Sequence, residues 1–100
     1  MASRPLTLAN FTGCNFTAAN LSGDSLIGCN LSGAILIGAD LTGTDLTNTI
    51  FSGANLTNAI GLNSDINVAL TDSAKPMYVS LIWTDGKSYT CDGSNWAVTL

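Results

Sequence analysis

The sequence predicts an all-β protein in two parts, a coil that turns a corner every five residues over 1–60 and a small β-meander over 77–100. Three observations carry this expectation. A large apolar residue recurs at every fifth position from Leu6 to Leu56. Gly and Asn recur between these positions. After residue 76 the spacing changes to a two-residue alternation interrupted by Asp-Gly turns.

The repeat begins at Leu6 and continues through Phe11, Phe16, Leu21, Leu26, Leu31, Leu36, Leu41, Leu46, Phe51 and Leu56 without a miss. Two places before each of these from Phe11 onward stands a mostly small residue, as at Ala9, Cys14, Ala19, Cys29, Ala34, Ala39 and Ala54. One place before is often Asn or Asp, and one place after is nearly always Thr or Ser, commonly followed by Gly. Period five matches neither the helical 3.6 nor the strand 2.0. Glycines at 13, 23, 28, 33, 38, 43 and 53 also weigh against an amphipathic helix. A chain that bends every five residues satisfies the pattern. Its large residue points to an axis, its small residue fills the space beside it, and Gly or Asn takes the corner.

Ala9-Asn10-Phe11, Ala19-Asn20-Leu21, Ala39-Asp40-Leu41 and Ala54-Asn55-Leu56 resemble the pentapeptide-repeat family, whose units read roughly Ala-(Asp/Asn)-Leu-x-x. The resemblance covers about residues 5–60. It implies a right-handed quadrilateral β-helix with four units per coil, hence just under three coils here. On that fold residues twenty apart stack about one strand spacing, ~4.8 Å, from each other. Leu6, Leu26 and Leu46 then share an inner column, as do Phe11, Leu31 and Phe51, or Phe16, Leu36 and Leu56, with Leu21 and Leu41 in the fourth. Both coil ends expose strand edges that need cover. Met1 to Pro5 are candidates at one end, and the chain after Ile60 at the other.

The repeat fades after Gly61 into a polar connector, 61–76, that ends at Lys75-Pro76. Strands are expected at Met77–Trp83, Lys87–Cys91 and Trp96–Leu100, joined by turns at Asp85-Gly86 and Asp92-Gly93-Ser94-Asn95. Met77, Val79, Leu81 and Trp83 alternate onto one face, as do Trp96, Val98 and Leu100. Three such strands are too few to stand alone, so the meander is a cap, an interface or both.

Composition narrows the function. The 100 residues contain no His, Glu or Gln, and only 10% are charged against 46% hydrophobic. Without His, the usual general bases and catalytic triads are missing, and no enzyme is expected. Net charge is −4, with Arg4, Lys75 and Lys87 the whole basic complement, which argues against direct nucleic-acid binding. No run is apolar enough for a signal peptide or membrane span, so secretion by a signal peptide and membrane partners are not expected. Cys14, Cys29 and Cys91 form neither a pairable set nor a metal cluster, and they suit a soluble protein made in a reducing compartment. No cofactor or metal is expected.

The Asn-x-Ser/Thr triplets at Asn10, Asn15, Asn20, Asn30 and Asn55 follow from the repeat itself and are not read as glycosylation sites. Asp24 breaks the small-residue column, and hydrogen bonding from Thr44, stacked on it, or from nearby backbone amides is its expected support. The departures that bear on function are apolar. Ile35 and Ile37 flank Leu36 on one face, Ile27 takes a Thr/Ser position, and Ile50 and Ile60 stand in Asn/Asp positions. Ile27, Ile35 and Ile37 are expected to share one contact surface, joined as interface candidates by Ile50, Ile60, Trp83, Tyr89 and Trp96.

The sequence therefore reads as a structural interaction protein that docks onto a larger assembly or onto copies of itself. The Trp83-to-Trp96 run is similar to short terminal β-segments of phage virion and tail proteins, which implies a virion accessory role such as cement or capsid decoration. A bacterial cytoplasm is the other expected location. A further alternative comes from the family resemblance, since some pentapeptide-repeat proteins inhibit DNA gyrase as acidic DNA mimics. Asp24, Asp40 and Asp45 are the only acids of the repeat region, few for that role.

Overall fold

A computed structural model describes residues 6–63, 66–70, 77–92 and 95–98. Each five-residue unit closes a tight turn in which the N–H of the small residue donates to the carbonyl of the large residue three places earlier. Ala34 N to Leu31 O (3.0 Å) and Ala39 N to Leu36 O (3.0 Å) are typical. The third residue of every such turn has positive φ, whether it is Gly, as at Gly33 (67°), or Leu8 (63°), Ala18 (59°), Asn48 (58°) and Asn58 (60°). The second residue does not share this sign, which is the type II arrangement. The corner, not the side chain, dictates the backbone. Glycine is therefore the commonest residue there, and Leu8 and Ala18 hold a strained conformation.

Between corners the chain is extended for about one residue, and these residues stack in parallel twenty positions apart. Asn10, Asn30 and Ile50 form side one; Asn15, Ile35 and Asn55 side two; Asn20, Asp40 and Ile60 side three; Ser25 and Asp45 side four. Four five-residue sides thus complete one turn. Large and small residues point inward from every side, so that Leu26, Leu31, Leu36, Leu41 and Leu56 are fully buried. Burial of one such side chain stabilises by about 1.5–3 kcal/mol, which makes the leucine columns the main source of stability.

Polar residues within the inner columns follow one rule. Thr44 Oγ1 donates to Leu21 O (3.0 Å), Thr49 Oγ1 to Leu26 O (2.7 Å) and Cys29 Sγ to Leu6 O, each reaching the carbonyl of a large residue one layer back. Thr44 gives its hydroxyl to Leu21, while buried Asp24 uses its own backbone N–H to Leu21 O and accepts Asp45 N at its carbonyl.

The regular ladder ends at Ile60. Gly61 crosses so close to Thr42 that an added Cβ would lie 2.3 Å from its nitrogen, and only glycine passes there. A single-turn helix, α1 (Ile66–Ala69), follows within the connector. The chain then returns as β1 (Met77–Ile82), β2 (Ser88–Asp92) and β3 (Trp96–Val98), an antiparallel sheet in the order β1-β2-β3 with a register shift between Met77 and Val79. β1 stops short of Trp83 and β2 begins after Lys87, because both residues belong to the turn: Trp83 N donates to Lys87 O and Gly86 N to Trp83 O, with Gly86 at φ 78°, while β2 takes in Asp92, which was expected in the second turn. Gly93, Ser94, Thr99 and Leu100, within the expected second turn and third strand, lie outside the described residues.

The second edge of β1 is bonded to the coil. Ile82 pairs in parallel with Asn55; Leu56 N donates to Ile82 O (2.8 Å), Ile82 N to Ala54 O (2.8 Å) and Asn58 N to Thr84 O (2.9 Å). Side two therefore runs unbroken from Asn15 through Ile35, Asn55 and β1 into β2 and β3. In this register Trp83 follows Phe16, Leu36 and Leu56 in their inner column, and it is fully buried. Leu81, Cys91, Trp96, Ile66 and Leu70 join the same core over the end of the coil.

Candidate interaction surfaces

The outer surface is built from one local device. At most corners the Asn or Asp in the middle of a side accepts two hydrogen bonds from the Thr or Ser two residues on. Asn15 Oδ1 accepts from Thr17 N (2.9 Å) and Thr17 Oγ1 (2.6 Å), and the same pair of bonds joins Asn10 to Thr12, Asn20 to Ser22, Asp40 to Thr42, Asp45 to Thr47 and Asn55 to Thr57. These are Asx turns, and they explain why the glycosylation-like triplets recur. The Thr42 hydroxyl, then its N–H, hold the Asp40 carboxyl below its ordinary range, and Thr47 does the same for Asp45.

Against this background some of the apolar exceptions come in linked pairs. Ile35 and Ile37 replace both members of the Asx device at one corner, and Ile60 and Leu62 replace both at another. Ile35 and Ile37 are half-buried between neighbouring layers, whereas Ile50 is 39% and Ile60 55% exposed. Ile27 does not join Ile35 and Ile37, contrary to expectation. Ten residues are half a turn, so Ile27 and Ile37 occupy diagonally opposite corners. The apolar neighbour of the Ile27 corner is Leu8, 76% exposed, whose Cδ2 lies over Gly28. Leu8 was missed by pattern reading because it stands at a Gly position, where exposure and positive φ both disfavour leucine.

The tryptophans are a second correction. Trp83 (0% exposed) and Trp96 (4%) are core of the cap and present no side-chain surface to a partner. Trp83 is enclosed because β1 carries it into the coil's inner column. Trp96 is held from outside by Asn67 of α1, whose Nδ2 donates to Trp96 O (2.9 Å) and whose Oδ1 accepts Trp96 N (2.7 Å), covering the free edge of β3 at that residue. Tyr89 is half-buried, its hydroxyl donating to Asp85 Oδ2 (2.8 Å). Val98, expected to turn inward with Trp96, is 44% exposed, since β3 is the strand farthest from the coil.

A cavity of about 490 Å³ lies at the coil end, where Leu41, Thr44, Asp45 and Leu46 face Leu62 and Ala69. Among the described residues that line it, Asp45 is the carboxylate. Cys29 is buried, which raises its thiol pKa. Among the described residues no His/Cys/Asp/Glu group has metal-holding geometry, and no helix is long and apolar enough to cross a membrane.

A family model described as pentapeptide repeats matches residues 6–23 and 25–60, in eight copies. The chain belongs to the pentapeptide-repeat family. Among solved structures, one similar to this pentapeptide-repeat protein is a pentapeptide repeat protein from the Arabidopsis thaliana thylakoid lumen. It is 24% identical over 85% of this chain and 83% of that one, with a TM-score of 0.27. Comparison with curated proteins gives no match.

Proposed function

We propose that this pentapeptide-repeat protein is a non-catalytic interaction module, a right-handed quadrilateral β-helix of just under three coils that docks onto a protein partner within a larger assembly. In this reading 1–60 is the β-helix, 61–76 the connector and 77–100 the cap. One observation carries the proposal: at Ile50 and Ile60 the coil gives up its Asx hydrogen bonds and places isoleucine in water. An exposed isoleucine gains nothing from solvent, whereas a protein surface closing on it removes apolar area from water. The partner is a protein because the chain has three basic residues in all, too few to hold a phosphate backbone. A virion accessory role, as cement or decoration, and a bacterial cytoplasmic scaffold are the two settings this module suits.

The test restores the repeat. Ile50→Asn with Ile60→Asn should fold and melt like the parent, because asparagine is the residue this position normally carries. A partner crosslinked by the parent in its host lysate, then purified, should bind the double variant at least tenfold more weakly. Unchanged binding would remove these isoleucines from the interface. Gyrase supercoiling should be unaffected by the protein, and clear inhibition would favour the DNA-mimic alternative instead.

A further inference from the structure

Among the described residues, the cap's backbone hydrogen bonds to the coil run from Gly53 to Asn58, along side two and the corners that flank it. Opposite them, at side four, lies the cavity of about 490 Å³, the size of an ordinary ligand pocket. Gly61 and Leu62, which directly follow the exposed Ile60, contribute to its lining, as does Ala69 of α1.

The lining is chemically one-sided. Thr44 commits its hydroxyl hydrogen to Leu21 O (3.0 Å), and Thr47 commits its own to Asp45 Oδ1 (2.7 Å). Both hydroxyls are left with acceptor lone pairs only. Asp45 Oδ1 also accepts Thr47 N (3.1 Å), so the unused acceptor of this exposed carboxylate is Oδ2. Asn63, the other polar side chain described there, can donate or accept. Leu62 and Ala69 add partly buried apolar surface. Among the described residues no cation answers Asp45. Lys87, the one Lys or Arg described, belongs to a turn whose Gly86 lies beside Thr57, at the corner diagonally opposite Thr47.

We infer that this cavity receives a lysine side chain of the protein partner, its ammonium on Asp45 Oδ2 and its methylene stem along Leu62 and Ala69. An ammonium brings three donors and no acceptor, which matches side chains that accept. A guanidinium suits the cavity less, because its forked pairing needs both carboxylate oxygens and Oδ1 is taken. A net charge of −4 favours a basic partner surface in the same way. The inference rests on the docking proposed above and deepens it, since the partner that covers Ile60 reaches the cavity next to it.

The probe is Nα-acetyl-lysine amide, titrated into the intact protein and followed by NMR. The backbone amides of Gly43, Asp45 and Leu62 should shift saturably. Nα-acetyl-norleucine amide, which keeps the carbon chain without the ammonium, should bind at least tenfold more weakly, and the arginine analogue more weakly than lysine. Asp45→Asn keeps the Asx turn, as Asn15 and Asn55 show at their own corners, and removes the charge. It should melt like the parent, yet lose at least tenfold in affinity for the lysine compound and for the purified partner. Ile50→Asn with Ile60→Asn should bind the lysine compound as the parent does, so a failure of docking at the isoleucines is told apart from a failure of the cavity. Absence of saturable shifts, equal binding of norleucine, tighter binding of arginine, or an Asp45→Asn variant that binds either the lysine compound or the partner like the parent would each overturn the inference.

Discussion

Ile82 pairs with Asn55 in parallel, as Asn55 pairs with Ile35 and Ile35 with Asn15. The repeat would have placed Lys75, twenty residues beyond Asn55, in that layer; the chain instead delivers Ile82, seven residues later. The cap is thus a substitute layer. It borrows the hydrogen-bond phase of the coil, sets Trp83 in the column of Leu56, and uses its other edge to carry β2.

Replacing Trp83 should therefore damage the coil as well as the cap. Trp83→Ala empties a fully buried site at the end of an inner column. The expected cost is about 3–5 kcal/mol, read as a lower urea midpoint. A cost under about 1 kcal/mol would mean that the column does not extend into the cap.

The corners make opposite forecasts for glycine. Ala18 sits at φ 59° and is exposed, so Ala18→Gly should relieve a left-handed alanine and stabilise by about 1 kcal/mol. Gly33→Ala should destabilise by a similar amount, about 1 kcal/mol, although an added Cβ there meets nothing within 4 Å. Thermal melting of the two variants beside the parent separates backbone strain from crowding.

Thr49 tests the polar rule of the inner columns. Its hydroxyl is fully buried and donates to Leu26 O. Thr49→Val keeps the shape and loses that bond, at an expected cost of about 1 kcal/mol in urea denaturation. Leu26 O still accepts Cys29 N in its own turn, which limits the loss.

Three carboxylates among the described residues contribute to the pH dependence. Asp40 and Asp45 are held below their ordinary pKa by Thr42 and Thr47, and Asp85 by the Lys87 N–H, with the Tyr89 hydroxyl and the Lys87 charge adding to it. A lowered folded pKa contributes stability above the unfolded value and loses it as pH falls through the folded one. With no His or Glu in the chain, the melting midpoint should be flat from about pH 5 to 8 and decline below about pH 4. A transition near neutral pH would point to a group outside this set.

The coil was legible because its information is local. Every Leu or Phe of the repeat states its own orientation, and every Asn-x-Thr closes its own corner. The positive φ at Leu8 was not legible, since that corner is imposed by the layers around it and not by leucine's preference. Nor was the path after Ile60. The placement of Ile82 on Asn55 depends on a long-range return past α1, and no local pattern encodes a seven-residue offset. For the same reason Trp83 and Trp96 read equally as surface anchors or core. A shared surface for Ile27, Ile35 and Ile37 needs adjacent faces, whereas half a turn of the coil separates Ile27 from Ile37.

The central claim is that β1 acts as the last layer of the coil, and truncation at Pro76 tests it most directly. Without residues 77–100, Gly53, Leu56 and Asn58 lose the acceptors Ser80, Ile82 and Thr84, and the leucine columns open to water. Sedimentation and thermal melting of the truncated chain, beside the intact one, should show aggregation or loss of the cooperative transition. A monodisperse truncated protein with an unchanged melting midpoint would contradict the claim.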